Sequence, residues 1–268
     1  MSKGSLAGRN ALVTGSVQGI GLAIARALAA EGAAIGLHGL ADATQVAAST
    51  AVLKDAGAPD VRFFDADLRD ETAVDAMMDQ ALDWRTDILV NNAGIQRTAA
   101  LDGLPVETWK AILDVNLTAA FLTMRRALPA MGERGYGRVV NIASVHGLVA
   151  SVEKAPYVAS KFGLVGLSRV AALEYAAKGS AKTGGVTVNC ICPGWTETAI
   201  IAPQVEARAA LFGGDRDAAI ADLLKEKQPS RRTSDPAEIG ALAAWLCARQ
   251  AHNITGTAIP VDGGWTAQ

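Results

Sequence analysis

A run of small and branched apolar residues at 10–14 passes straight into a glycine-rich turn, Gly15-Ser16-Val17-Gln18-Gly19-Ile20-Gly21, and then into an amphipathic stretch that lasts until Glu31. No other feature constrains the chain as tightly. A buried strand that feeds a helix through a tight turn is the first half of a βαβ unit, and so of a parallel sheet. The glycines let the backbone bend sharply and let a charged group approach with no Cβ in the way. The helix turns its free N–H groups and the positive end of its dipole toward that group. A dinucleotide pyrophosphate is the ligand class such a turn suits. The plain alternative is a strand–helix turn that merely tolerates glycine.

The rest of the chain repeats the alternation. Short apolar runs predict strands at 34–38, 61–65, 87–91, 138–142, 186–191 and 258–261. Longer periodic segments predict helices at 43–55, 71–82, 156–177 and 236–247, and a long helical stretch at 106–131 broken near Asn116. Continuous rather than alternating apolar strands imply a sheet covered on both faces. The expected fold is α/β, one doubly wound Rossmann-type domain over residues 1–268. It has about seven parallel strands, helices on both faces, and a small helical lid inserted at about 195–235. Such an insertion lies at the carboxyl edge of the sheet, where ligands bind.

Composition removes several function classes. Half of the 268 residues are hydrophobic, too many for a disordered chain. A formal net charge of −2 leaves no electrostatic footprint for nucleic acid. No apolar run is long enough to span a membrane, and the first residues lack a signal-peptide core. Three cysteines, Cys190, Cys192 and Cys247, make no disulfide framework and have no histidine at zinc spacing. A reducing, cytoplasmic setting without a bound metal is therefore expected.

The second strand ends at His38-Gly39-Leu40, with neither an acid for a ribose 2′-hydroxyl nor, between Arg26 and Lys54, any cation for a 2′-phosphate. That favours NAD over NADP. Asp42 reads as a ribose partner or as a helix cap. Asp67, with Leu68, reads as an adenine contact or as the cap of the next helix. His38 and His252 read as strand-end or surface residues without a role.

Tyr157 and Lys161 stand one helical turn apart, on one face. Ser144 follows the fifth strand, beside that helix start. A phenol with pKa near 10 is a poor base at neutral pH, and a neighbouring ammonium favours its ionised form. With Ser144 holding the substrate oxygen, Tyr157 can take the hydroxyl proton as a hydride leaves. The ordered set Thr14-Gly-x3-Gly-Ile-Gly21, Asn91-Asn92-Ala93-Gly94, Ser144, Tyr157-x3-Lys161 and Pro193-Gly194 resembles the short-chain dehydrogenase/reductase family over nearly the whole chain. The resemblance implies a catalytic set of Asn116, Ser144, Tyr157 and Lys161, with Asn116 holding a water that links Lys161 to solvent. It implies cofactor contacts from Gly15, Ser16, Gln18, Gly19, Ile20, Gly21, Asp67, Leu68, Asn92, Ala93, Gly94, Tyr157, Lys161, Pro193 and Gly194.

A narrower resemblance, to the D-3-hydroxybutyrate dehydrogenases of that family, is carried by Gly94-Ile95-Gln96, Asn141–Ala150, Lys154-x2-Tyr157, Cys192-Pro-Gly-Trp195, Glu226–Ser230 and the stretch from Ile254 to Gln268. It implies NAD-dependent oxidation of a small hydroxy acid, (R)-3-hydroxybutyrate. Gln96, His146, Lys154 and Gln204 would hold the carboxylate, with Ser144 and Tyr157 at the hydroxyl and Trp195 and Trp265 as the apolar wall. The family implies a homotetramer, with one interface on the helices at 106–131 and 156–177 and another on the last strand and the Trp265 tail. Two departures stand out. Ala199-Ile200-Ile201-Ala202-Pro203-Gln204 replaces the usual Pro-Leu-Val before the glutamine, with Pro203 able to change the lid's bend. The connection at 178–185 is longer than usual and reads as a surface turn.

Overall fold

A computed structural model describes residues 4–198 and 201–267. Ala199 and Ile200, within the altered lid run, lie outside the described residues, as does the side chain of Pro203. Seven strands form one sheet in the order β3-β2-β1-β4-β5-β6-β7, every neighbouring pair parallel. They are β1 (Asn10–Val13), β2 (Ala34–Leu37), β3 (Val61–Phe63), β4 (Ile88–Asn91), β5 (Tyr136–Ile142), β6 (Gly185–Pro193) and β7 (Ala258–Val261). The order reverses between β1 and β4. Crossovers leave to opposite faces there, and a crevice opens at the carboxyl edge.

Alternate residues of each strand feed two cores. Val13, Leu37, Val90, Ile142 and Ile191 pack beneath α1 (Gly19–Ala30), α2 (Ala43–Asp55) and α9 (Pro236–Cys247). Leu12, Leu89, Val139 and Val188 pack beneath α3 (Glu71–Asp83), α5 (Ala119–Arg134) and α6 (Ala155–Tyr175). Burial on both faces is what the unbroken apolar runs require. None of the described helices is long and apolar enough to cross a membrane.

The long helical stretch divides as expected near Asn116, but by a change of winding rather than a stop. The segment α4 (Val106–Leu113) passes through a π-helical turn, Asp114–Thr118, into α5. A π turn widens the helix by one residue and re-aims its side chains, a device frequent at functional sites. Pro129 does not end α5, which runs on to Arg134. Arg125, whose carbonyl loses its partner there, and Pro129 share an exposed face where water can serve that carbonyl.

The lid segment holds α7 (Ala202–Ala209) and α8 (Arg216–Leu224). Val205, Ile220 and Leu224 make its small core against Trp195 and Ile201. The long turn at 178–185 has a structural task at the opposite edge. The carbonyls of Gly184 and Gly185 accept at 3.0 and 2.9 Å from the buried guanidinium of Arg138.

Candidate active site

A cleft of about 680 Å³ runs along the carboxyl edge from the β1–α1 turn to Trp265. At its first end the β1–α1 turn is a cradle. Gly15 and Gly19 have φ of +61° and +55°. A Cβ on Gly21 would stand 2.2 Å from the Gly15 carbonyl oxygen. Gln18 gives α1 no side-chain cap, and the N–H groups of Gly19, Ile20 and Gly21 meet no acceptor among the described residues. Three free donors at the positive end of a helix dipole fit a pyrophosphate. By contrast α2 and α3 are capped by Asp42 and Asp70, which accept from Gln45 N–H and from Thr72 and Ala73 N–H. Asp42 is thus a cap. The cap of α3 is Asp70, leaving Asp67 on the cleft wall with Leu68. The Arg69 side chain, which donates to the Asp67 carboxylate, holds that carboxyl down to about 2.

Two residues expected at the cofactor brace its cradle, one of them while still lining the cleft. Ser16 is fully buried and turned away from the cleft, a correction to its expected contact. Its hydroxyl donates to Val13 O at 2.7 Å and accepts His38 N–H at 3.1 Å, and its own N–H goes to His38 O. Asn92 lines the cleft, but its amide donates to Thr14 O and Gly15 O at 2.9 and 3.0 Å. His38, expected to be idle, is a third brace. Gly15 N–H donates to its Nδ1 at 3.1 Å, so Nε2 carries the proton and faces Ala66 O at 3.2 Å. Burial lowers its pKa and keeps the ring neutral for both contacts.

The chemical centre stands where β4, β5 and α6 meet. A buried chain of hydrogen bonds fixes that platform: Thr123 Oγ1 to Asn91, Asn91 Nδ2 to Asn141, and Asn141 Nδ2 to Ser168, at 2.7, 2.8 and 2.7 Å. Ser144 starts the short turn Val145–Gly147, where its Oγ accepts His146 N–H at 3.1 Å. Tyr157 lies on the first turn of α6, its side chain facing Ser144. Burial pushes the phenol above its ordinary value of 10.0, and the Ser144 side chain partly offsets the rise. One turn on, Lys161 Nζ donates to Ile142 O at 2.7 Å and sits 5.6 Å from the Tyr157 ring centre. Burial brings Lys161 down to about 8, which leaves it mostly ammonium at neutral pH.

Asn116 sits in the π turn. Its Oδ1 accepts Ile95 N–H at 2.8 Å, and its Nδ2 donates to Ile95 O at 3.0 Å and Ser160 Oγ at 3.2 Å. The side chain thereby clamps the strand that leaves β4. A Cβ on Gly94 would lie 3.4 Å from Asn116 Oδ1 and 3.6 Å from Lys161 Nζ, so both polar groups look into the gap over that glycine.

At the far end of the cleft stand Gln96, His146, Lys154, Trp195, Gln204 and Trp265, with Pro193 and Gly194 between them and the cofactor cradle. His146 meets Tyr157 and Trp265 edge to face, with ring centres 6.1 and 5.4 Å apart. Its Nδ1 lies 3.2 Å from Val149 O, a group that only accepts, so Nδ1 carries the proton. Burial, and then the ammonium groups of Lys154 and Lys227, depress its pKa to about 4. The neutral ring therefore presents Nε2 as an acceptor. Nε2 can take a hydrogen bond from an amide or an ammonium at the cleft wall.

Sequence reasoning missed the residues behind this wall. Gln228 accepts Trp195 N–H at 3.2 Å. Asp262 accepts from Thr266 N–H and hydroxyl at 2.9 and 2.7 Å and so holds the turn that carries Trp265. Lys227 lies against the outer face of Trp265. All three stand inside motif stretches already singled out, where the only available signal was their company.

The family described as short chain dehydrogenase matches residues 9–209. The chain is 47% identical over 265 residues to a D-beta-hydroxybutyrate dehydrogenase of Cupriavidus necator, covering 98% of this chain and 100% of that one. It is 40% identical over 262 residues to one of Rhizobium meliloti, covering 97% and 99%. Among solved structures it resembles L-sorbose reductase from Gluconobacter frateurii, complexed with NADPH and L-sorbose, with a TM-score of 0.88, 29% identity and full coverage of both chains.

Proposed function

The chain belongs to the short-chain dehydrogenase family, and from that premise we propose that it interconverts (R)-3-hydroxybutyrate and acetoacetate with NAD. That it is an oxidoreductase using a nicotinamide dinucleotide follows from the family itself. The observation that carries the narrower reading is the charge at the far end of the cleft. Lys154 lines it with the amides of Gln96 and Gln204, while Asp67, the one carboxylate among the described lining residues, stands at the other end. An ammonium flanked by amide donors suits a carboxylate placed a short chain away from the reacting hydroxyl. Trp195 and Trp265 suit its methyl end.

The Gly15–Gly21 turn would hold the pyrophosphate, and Asp67 and Leu68 the adenine. When bound, the dinucleotide supplies the hydride acceptor in oxidation and the donor in reduction. The Ser144 hydroxyl donates to the substrate oxygen and fixes it beside Tyr157. Tyr157 takes the proton of that hydroxyl in oxidation and returns it in reduction. Its phenol, raised by burial, stands ready to give a proton, and the ammonium of Lys161 stabilises the phenolate left behind. NAD is favoured over NADP because no Lys or Arg lies between Arg26 and Lys54. Arg69, which lines the adenine end, is already engaged by Asp67.

The test is the absorbance of NADH on mixing the protein with NAD and (R)-3-hydroxybutyrate. Fast turnover, absent with the (S) isomer and at least about tenfold weaker with NADP, is the expected result. Silence toward hydroxybutyrate with turnover of a sugar or polyol would replace the substrate and keep the catalytic set. The same reading includes assembly. Phe121, Phe162, Val170 and Leu173 on α5 and α6 expose 44%, 44%, 53% and 81% of their surface. Four copies paired through these helices would cover them. Sedimentation at the mass of a single copy at micromolar protein would remove the tetramer.

A further inference from the structure

The turn that follows α8 is bolted to the substrate wall. Lys227 and Gln228 N–H both donate to Leu224 O, at 3.0 and 2.8 Å. Gln228 is 1% exposed and reaches back to Trp195 N–H. Lys225 of the same turn is paired with Asp222, and the turn held in this way aims the second lysine, Lys227. Lys227 Nζ donates to Ser151 Oγ at 3.2 Å and lies 5.6 Å from the centre of the Trp265 ring. The same indole meets His146 edge to face, and His146 in turn meets Tyr157. Lys227 is not part of the cleft lining, yet it lies against Trp265, which is. Its charge reaches both Lys154 and His146, since the pKa of each is lowered by it. Among the described residues neither Lys154 nor Lys227 forms an ion pair with a carboxylate. Two like charges kept close in a half-buried place repel each other, and an anion bound beside one of them relieves that repulsion.

We infer that Lys227 is a positioning and specificity residue: its ammonium, tied to Ser151 and seated on Trp265, adds a second positive charge behind Lys154 and holds the indole against His146, so that the cleft selects an anionic substrate over an uncharged one. This role rests on the carboxylate reading of the site under Proposed function and deepens it. Trp265 couples the two lysines to the substrate in different ways. A cation over an indole face is attracted to it and fixes its plane, while the ring keeps the ammonium from reaching the substrate itself. Lys154 thus contacts the anion, and Lys227 acts through the field and through the ring.

The experiment has two arms on the intact protein. In the first, wild type, Lys227→Met and Lys227→Arg are compared in turnover of (R)-3-hydroxybutyrate and of its uncharged methyl ester. The expected result for Lys227→Met is a KM for the acid raised about tenfold, with kcat and the ester's KM changed less than about twofold. Lys227→Arg should restore the acid's KM. In the second arm, calorimetry follows acetoacetate binding to the same three proteins saturated with NAD, a pair in which both partners are oxidised and no hydride can move. The loss on Lys227→Met and its recovery in Lys227→Arg should repeat. Equal losses for acid and ester, or no loss for either, would reduce Lys227 to packing and overturn the inference. Wild-type protein that binds acetoacetate in the second arm but does not turn over hydroxybutyrate would defeat the proposed substrate and leave the role of Lys227 standing. Wild-type protein that binds no carboxylate would overturn both. If Lys227→Met melts lower than wild type, Ser151→Ala, which removes only the aiming hydroxyl, should reproduce a smaller shift in the acid's KM alone.

Discussion

Replacing Tyr157 by phenylalanine is expected to lower kcat about 10²–10⁴-fold while the dinucleotide's Kd stays within about twofold of wild type. The substitution removes one oxygen and keeps the ring that packs edge-on against His146. It therefore tests proton transfer and not the wall. No other described group near Ser144 can replace the phenol. Lys161 Nζ is committed to Ile142 O at 2.7 Å, and the His146 ring, with its pKa depressed to about 4, is too weak a base to hold the proton. The wild-type pH profile should carry the same signature. A phenol raised by burial must lose its proton before it can act as a base. Oxidation should therefore speed up as pH rises through that pKa, while reduction, which uses the protonated phenol, slows. A Tyr157→Phe protein that keeps more than about a tenth of wild-type kcat, or that keeps this pH limb, would show that the proton leaves by another route.

Gly21→Ala should be the most damaging small change at the cofactor end. A Cβ there would stand 2.2 Å from Gly15 O and 2.5 Å from Asn92 Nδ2. Neither atom can retreat cheaply, because Asn92 Nδ2 is the donor that holds Gly15 O, at 3.0 Å. The turn must open, at a cost of about 1–3 kcal/mol or more for overpacking a rigid site. A fall in Tm of about 2–12 °C follows for a chain of this size. The opened turn no longer aligns the free N–H groups of Gly19, Ile20 and Gly21, so the dinucleotide's Kd should rise at least about tenfold. Gly103→Ala is the control, since a Cβ there meets nothing within 4 Å. Equal melting temperatures and equal Kd values for the two variants would show that the turn is no cradle.

Much of this site is legible in the sequence because its signals are local. The step from β1 through a glycine turn into α1 is written in consecutive residues. The spacing of Tyr157 and Lys161 is one turn of a single helix, whatever packs against it. Helices 43–55 and 236–247 fall where their periodicity puts them, as α2 and α9. The break near Asn116 is visible as a disturbance, but its π winding is not. Strand ends drift by up to two residues: β6 runs on through Pro193, because its last pairing is with Val261 of a distant strand.

The alternation of strands and helices, the glycine turn at the cofactor end and the shared face of α6 are properties of the chain as written. Each depends on φ/ψ preference and spacing within a few residues. Which groups face the cleft and which brace it was settled only by folding. Ser16 turns inward because His38, 22 residues away, offers both a donor and an acceptor. Asn116 clamps Ile95 across 21 residues, and Lys227 reaches Ser151 across 76. A polar side chain in a folded core takes whichever partner satisfies it there. That partner comes from another element, so its identity cannot be read along the chain.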